Sequence, residues 1–234
     1  MRASARALLV AGLTALCTAR LQATVTAYSA SDIANSTDPR PNSNAMAATF
    51  DAAAGGLGPL AVIDFESAAV GVFNNLVVAT GVTMDGVDFS SNDQEIRNTV
   101  VGFPDAYWGY NTTSGGVKFV QNAAGNLTFT FSTPIQSFGA FIGGTQLDFN
   151  DIFFTDSGGP QTVHVPNPSS SLGGITFVGF TDAGESISSV TITSIGDFLG
   201  VDDVRFGTTV PEPAAAAIGI TLALIGGRRR VIRS

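Results

Sequence analysis

Cysteine is nearly absent: Cys17 stands alone, inside the apolar N-terminal stretch, so a chain that loses that stretch has neither disulfides nor thiol chemistry and is held together by its core. Histidine is as scarce. His164 lies in Thr162-Val163-His164-Val165, where alternation marks a strand, and a surface strand histidine is a plainer reading than a base or ligand. Basic residues are scarce in the middle of the chain. Between residues 24 and 209 only Arg40, Arg97, Lys118 and Arg205 stand against 18 acidic residues, a balance of −14, whereas the whole chain carries −8. A surface of that sign repels nucleic acid and anionic membranes and attracts divalent cations. No serine sits in a nucleophile-elbow pattern, and the only glutamates of that stretch are Glu66, Glu95 and Glu185. Catalysis is not expected, and the one enzyme reading left open is a glycan hydrolase with paired carboxylates.

Both ends read as addresses. Arg2 and Arg6, an apolar region over residues 7–17 and small residues around Ala23 predict a signal peptide spanning 1–23, handled by the Sec machinery and signal peptidase. Leu16 is too bulky for lipoprotein processing at Cys17. At the other end, residues 210–234 run Val210-Pro211-Glu212-Pro213, an apolar segment over 214–225, Gly226-Gly227, then Arg228, Arg229, Arg230 and Arg233. Pro-Glu-Pro continues neither a helix nor a sheet ladder, the apolar run prefers lipid, and the arginines hold the end on the cytoplasmic side. As a helix, residues 214–227 reach about 21 Å at about 1.5 Å per residue, short of the roughly 30 Å hydrocarbon core. Local thinning and snorkelling arginines close the gap. The alternative, a buried C-terminal helix, gives no reason for four arginines within six residues.

This tail resembles the PEP-CTERM sorting signal of exported bacterial proteins. The resemblance implies a transient stay in the inner membrane, cutting near Pro211, Glu212 and Pro213 by an exosortase-like transpeptidase, and delivery to the cell envelope, outer surface or extracellular matrix. In such a signal the motif is read by a partner and catalyses nothing.

For the part between, about 190 residues suffice for one hydrophobic core. Residues 29–44 are polar and proline-interrupted, which suits a loop or covering segment. A short helix follows over 44–54, with Ser43 as N-cap and Gly55-Gly56 as the stop, so residues 24–60 read as an N-terminal covering segment. From 61 to 209 the period changes to two: Leu127, Phe129 and Phe131 alternate with polar neighbours, as do Val190 and Ile192, and Phe138, Ala140 and Ile142 repeat the spacing. Further strands are expected at 62–65, 87–89, 117–120, 151–155, 162–165, 175–180 and 200–206. Parallel pairing needs crossover helices, and none are visible, so the fold class is mainly β, an antiparallel β-sandwich of jelly-roll type. Most of the 17 phenylalanines then belong to its core. Stretches such as Gly109-Tyr110-Asn111-Thr112-Thr113-Ser114-Gly115-Gly116, residues 177–184 and Gly200-Val201-Asp202-Asp203-Val204-Arg205-Phe206 resemble a recurring PEP-CTERM cargo domain of unassigned activity. The resemblance covers most of 42–207 and implies a fold similar to carbohydrate-binding jelly rolls, without catalytic residues.

Two constellations carry chemistry. Asp64 and Glu66 flank Phe65 on the first core strand and Asp202 and Asp203 lie on the last. Alternation puts Asp64 and Glu66 on one side, and terminal strands lying together would let these carboxylates share a structural Ca²⁺. The other reading is that these acids are solvated, with Arg205 pairing one of them. The second constellation is Tyr107, Trp108, Tyr110 and Asn111, in a loop rich in Gly, Asn and Thr. It is either a glycan-stacking face, with an exopolysaccharide as partner, or a plug for the end of the sandwich.

Overall fold

The computed structural model describes residues 24–88, 94–100, 102–168 and 171–208. The predicted signal peptide and the sorting signal, with Pro211, Glu212, Pro213, Arg228, Arg229, Arg230 and Arg233, lie outside the described residues. No helix among the described residues is long and apolar enough to cross a membrane.

In chain order the elements are β1 (Thr26–Asp32), α1 (Pro41–Gly55), β2 (Leu60–Ile63), β3 (Gly71–Val72), β4 (Asn75–Ala79), β5 (Val82–Asp88), β6 (Glu95–Arg97), a 3₁₀ turn (Asp105–Tyr107), β7 (Phe119–Ala123), β8 (Gly125–Gly143), β9 (Asp151–Asp156), β10 (Gly159–His164), β11 (Ile175–Thr181), β12 (Ile187–Thr193) and β13 (Phe198–Thr208). The two alternating segments expected around Phe129 and Ala140 are one strand of 19 residues, β8. Its first half pairs with β5 and β12, its second half with β11 and β13, so β8 passes from one layer into the other.

One layer therefore runs β4-β5-β8-β12-β9-β10, and the other runs β1-β11-β8-β13, with β2 and β7 side by side along β13 and then β6 and β3. All pairs are antiparallel. Phenylalanines join the layers face to face. Phe154 of β9 stacks on Phe180 of β11 with ring centroids 3.8 Å apart, and Phe131 of β8 meets Phe206 of β13 at 5.2 Å. β9 and β11 are not sheet neighbours, and Phe131 lies in the half of β8 that pairs with β5 rather than in the half that pairs with β13, which makes the fold an antiparallel β-sandwich with a continuous core from Ile63 to Phe206.

A second, smaller core lies on the outer face of the β11 layer. There α1 sets Ala47, Phe50 and Ala54 against Phe141, Ile175 and Phe177. Phe50 drops into a notch left by two glycines: a Cβ on Gly139 would come within 3.3 Å of its ring, and one on Gly179 within 3.2 Å. Arg205 closes this face, pairing with Asp51 of α1 at 3.1 Å and lying over Phe141 and Phe177.

The N-terminal region differs from expectation in two ways. Residues 26–32 form an edge strand that pairs with β11 along its whole length, and residues 29–32 of it fall in the stretch expected as a loop or covering segment. The polar side chains sit on the half-exposed edge, and backbone pairing, which composition does not report, fixes the segment. The helix also starts earlier, at Pro41, and Ser43 is not its cap. Asp32, at the end of β1, accepts from Asn42 N (3.2 Å), Ser43 N (2.8 Å) and Ser43 Oγ (2.7 Å), satisfying the first-turn N–H groups from outside the helix. Burial pushes the Asp32 pKa up, but the bonds from Ser43 and Asn42 together hold it below the usual carboxylate range.

Candidate functional site

The loop between β6 and β7 carries the aromatic cluster, and the fold splits that cluster in two. Tyr107 ends the 3₁₀ turn whose first residue, Asp105, is buried and accepts from Ser36 N at 3.2 Å and from Ser36 Oγ. This ties the loop to the segment joining β1 to α1. Just beyond, Gly109 has φ of +78°, and a Cβ there would run into the backbone of Gly200. Gly200 in turn leaves 2.7 Å between its missing Cβ and Gly109 Cα, so the loop lies backbone to backbone on β13. That close approach turns the rings on either side of Gly109 in different directions.

Tyr107 and Trp108 face outward. Their rings meet edge to face at 4.9 Å, and Trp108 meets Phe198 at 5.4 Å. With Gln146, Leu147, Ser171, Gly196 and Asp197 they line a cleft of about 490 Å³. Asp197 is its rigid base: fully buried, it accepts from Gln146 N and Leu147 N (3.1 Å each), Asn150 Nδ2 (3.2 Å) and Phe198 N (3.0 Å), and burial raises its pKa. The Gln146 side-chain amide donates to the Tyr107 carbonyl, locking cleft wall to aromatic loop. Sequence reasoning missed Gln146, Leu147, Asp197 and Phe198, which reach the cleft from the β8–β9 and β12–β13 connections. No local pattern announces them, because strand-end loops meet only after the sandwich has formed.

Tyr110 and Asn111 turn inward. The Tyr110 ring is buried under α1, its hydroxyl donates to Ala34 O at 3.0 Å, and burial drives its pKa upward. Asn111 donates to Glu66 Oε1 (3.0 Å) and Lys118 O (2.6 Å). Both line a separate polar cavity of about 460 Å³ with Arg40, Thr112 and Thr113. Tyr107 and Trp108 thus form the outward face, and Tyr110 and Asn111 do not join them.

The four acids proposed as a cation set are likewise redistributed. β2 ends at Ile63, and Phe65 adopts φ of +59°, so the alternation that would align Asp64 with Glu66 is broken. Asp64 is exposed and accepts from Glu66 N at 3.1 Å. Glu66 instead accepts from Val117 N (2.8 Å) and Lys118 N (2.7 Å), while Lys118 Nζ donates to the carbonyls of Glu66 and Ala68, both at 2.7 Å. A register shift in β13 and a left-handed Asp203 (φ +48°) aim both Asp202 and Asp203 at Thr112 and Thr113. Asp202 Oδ2 accepts from Thr112 N (2.6 Å) and Thr113 N (3.1 Å), and the two hydroxyls reach Asp203 at 3.0 and 2.8 Å. Asp202 Oδ1 is buried without a partner, and burial of the carboxyl, against the bond from Thr112, pushes its pKa up to about 7. The loop over 111–118 therefore gathers Glu66, Asp202 and Asp203 and leaves Asp64 outside; Arg205 makes its ion pair with Asp51 and reaches Asp203 only at its backbone carbonyl, at 2.7 Å. No group of three His, Cys, Asp or Glu among the described residues converges on one point as metal ligands.

His164 is a half-exposed strand residue, as its alternation indicated, held between Asp151 (Nδ1, 3.0 Å) and Asp148 (Nε2, 2.9 Å).

Fold and site together define an antiparallel β-sandwich with a helix on one face and an aromatic cleft at one end. No family model and no curated protein matches the chain. Among solved structures it is similar to the K2 cleaved adhesin domain of Lys-gingipain, at 14% identity and TM-score 0.43, over 64% of this chain and 100% of that one. A family 29 carbohydrate-binding module gives 12% identity and TM-score 0.32 over 67% of this chain and 100% of its own. The catalytic unit of an α-1,3-glucanase from Streptomyces thermodiastaticus gives 13% and 0.32, over 68% of this chain and 28% of that one.

Proposed function

We propose that the chain is an exported, non-catalytic protein of the cell envelope or extracellular matrix, associated with exopolysaccharide, whose jelly-roll-like sandwich holds a glycan in the cleft of Tyr107 and Trp108. The observation that carries this reading is the pair of edge-to-face rings on the wall of a half-open cleft. Flat rings stack on the apolar face of a sugar, and the Ser171 hydroxyl and the Gln146 amide oxygen offer polar contacts on the rim. Among the described residues of that cleft no second carboxylate faces Asp197, which spends its oxygens on four protein donors, and this favours binding over hydrolysis. The address rests on the PEP-CTERM-like tail and implies release by an exosortase-like transpeptidase.

A structural Ca²⁺ belongs to the same proposal in reduced form, with Asp202 and Asp203 as its carboxylate ligands and without Glu66, whose Oε1 is taken by Asn111, Val117 N and Lys118 N. The open valence is Asp202 Oδ1. Its test is a calcium stoichiometry one lower in Asp202→Asn than in the wild type, and an unchanged stoichiometry would remove it.

A polysaccharide array, read beside an assay for reducing ends, tests the main reading. Binding without released sugar, weakened at least about tenfold by Trp108→Ala, is the expected result, since a stacking contact contributes on the order of 1 kcal/mol or more. Release of reducing sugar would turn the reading to a hydrolase. Silence in both assays would leave a structural role in the matrix.

A further inference from the structure

Asp182 opens the turn between β11 and β12, at the opposite end of β11 from the aromatic cleft. It is 0% exposed, and neither of its carboxylate oxygens has a hydrogen-bond donor. Its main chain is fully engaged: Asp182 N donates to Gln136 O at 2.8 Å, and Asp182 O accepts from Glu185 N at 3.3 Å. These bonds fix the backbone of the turn at Asp182. Across from it stands Asp156, the last residue of β9, an acceptor facing an acceptor, so the contact is attractive only if something positive lies between the two. Glu185 adds a third negative charge while bracing the same hairpin, its Oε2 accepting from Ser157 N (2.8 Å) and its Oε1 from Ser157 Oγ (2.7 Å). Asp156 Oδ1 also takes Gly158 N at 2.7 Å. No Lys, Arg or His forms an ion pair with any of the three among the described residues.

A buried carboxylate without a donor is costly to ionise, and a second carboxylate beside it raises that cost. Burial, then the charges of Asp156 and Glu185, push the Asp182 pKa up to about 6. A hard divalent cation set between the carboxylates removes the repulsion, since it takes carboxylate and water oxygens together and tolerates an irregular shell.

We propose that Asp182 and Asp156 form a Ca²⁺-binding site that fastens the β9–β10 hairpin to the β11–β12 turn. Two carboxylates supply the charge, and water completes the shell. Glu185 is a positioning residue, whose bonds to Ser157 hold the hairpin against the turn. The site joins the two layers at this end, because β9 belongs to one and β11 to the other. It is independent of the glycan reading and of the ion proposed at Asp202.

The test uses purified full-length Asp202→Asn protein, so that no ion at Asp202 contributes, stripped with EDTA and melted at neutral pH with and without about 5 mM CaCl₂. An affinity in the millimolar or tighter range typical of extracellular calcium modules gives a rise in Tm of about 3–6 °C. Adding Asp182→Asn is expected to abolish the rise. If that protein fails to fold, Asp156→Asn, at the half-buried hairpin position, is read in the same way. A background protein indifferent to calcium, or a calcium response that survives whichever of these substitutions folds, would overturn the proposal.

Discussion

Single residues in this sandwich are constrained by what sits a few ångströms away in another element. Gly109 is the sharpest case: φ of +78° and a Cβ directed into the Gly200 backbone leave no room for any side chain. Gly109→Ala is expected to lower unfolding free energy by at least about 2 kcal/mol, combining backbone strain with overpacking, read from urea denaturation. Asp202 makes a prediction with a sign. Its folded pKa, about 7, lies above the ordinary 3.8, so the folded state binds the proton more tightly. In calcium-free buffer its contribution to stability is therefore fully present below about pH 4 and is lost as pH rises towards 7, with a penalty on the order of a few kcal/mol. Asp182, at about 6, adds to the same slope. Asp202→Asn is expected to flatten that profile in part, and a slope equal to wild type would contradict the burial argument. His164 has the same sign for a different reason: the bond it donates to Asp151 raises its pKa, so its contribution is present at low pH and lost as pH rises through the folded value. Half exposed, it contributes little, and an NMR titration midpoint above about 6.5 checks the direction.

At the scale of elements, α1 shows how pairing and packing outrank composition. Its alanines and Gly55-Gly56 made the helix legible in sequence, but its cap was not, because Asp32 lies on a strand nine residues upstream of Pro41. Its burial is concentrated in Phe50, which meets Phe177 at 5.4 Å and Tyr28 at 5.7 Å. Phe50→Ala leaves the glycine notch empty and is expected to cost about 3–5 kcal/mol, measured by chemical denaturation. β1 was misread for a related reason. An edge strand held by backbone pairing to β11 has no need of apolar alternation, so Ser29, Ala30 and Ser31 look like loop residues until β11 is beside them. β8 was legible in both halves and illegible as one strand, since the step between layers at Thr133 and Pro134 reads locally as a turn.

For the whole molecule, the aromatic cleft beyond Ile175 and the Asp182–Asp156 pair beyond Thr181 sit at opposite ends of β11. Calcium addition is therefore expected to raise Tm without altering glycan affinity, and Trp108→Ala to do the reverse. The address is testable separately by the intact mass of protein recovered from the native host, with and without deletion of 211–213. A species beginning near Thr24 and ending near Pro211, lost on deletion, is expected. Retention of residues 228–234 would make the tail a permanent anchor instead.

Composition and periodicity by themselves determined the antiparallel β class, most of the core phenylalanines, the absence of thiol chemistry between residues 24 and 209 and the acidic balance, because each follows from residue type and spacing along the chain. Which acids and rings come together was decided by tertiary structure alone. Phe65 and Asp203 in left-handed conformations and the backbone contact of Gly109 with Gly200 redirect side chains against the simple alternation of a strand. Asp182 meets Asp156 only because two layers, distant in sequence, close over one another.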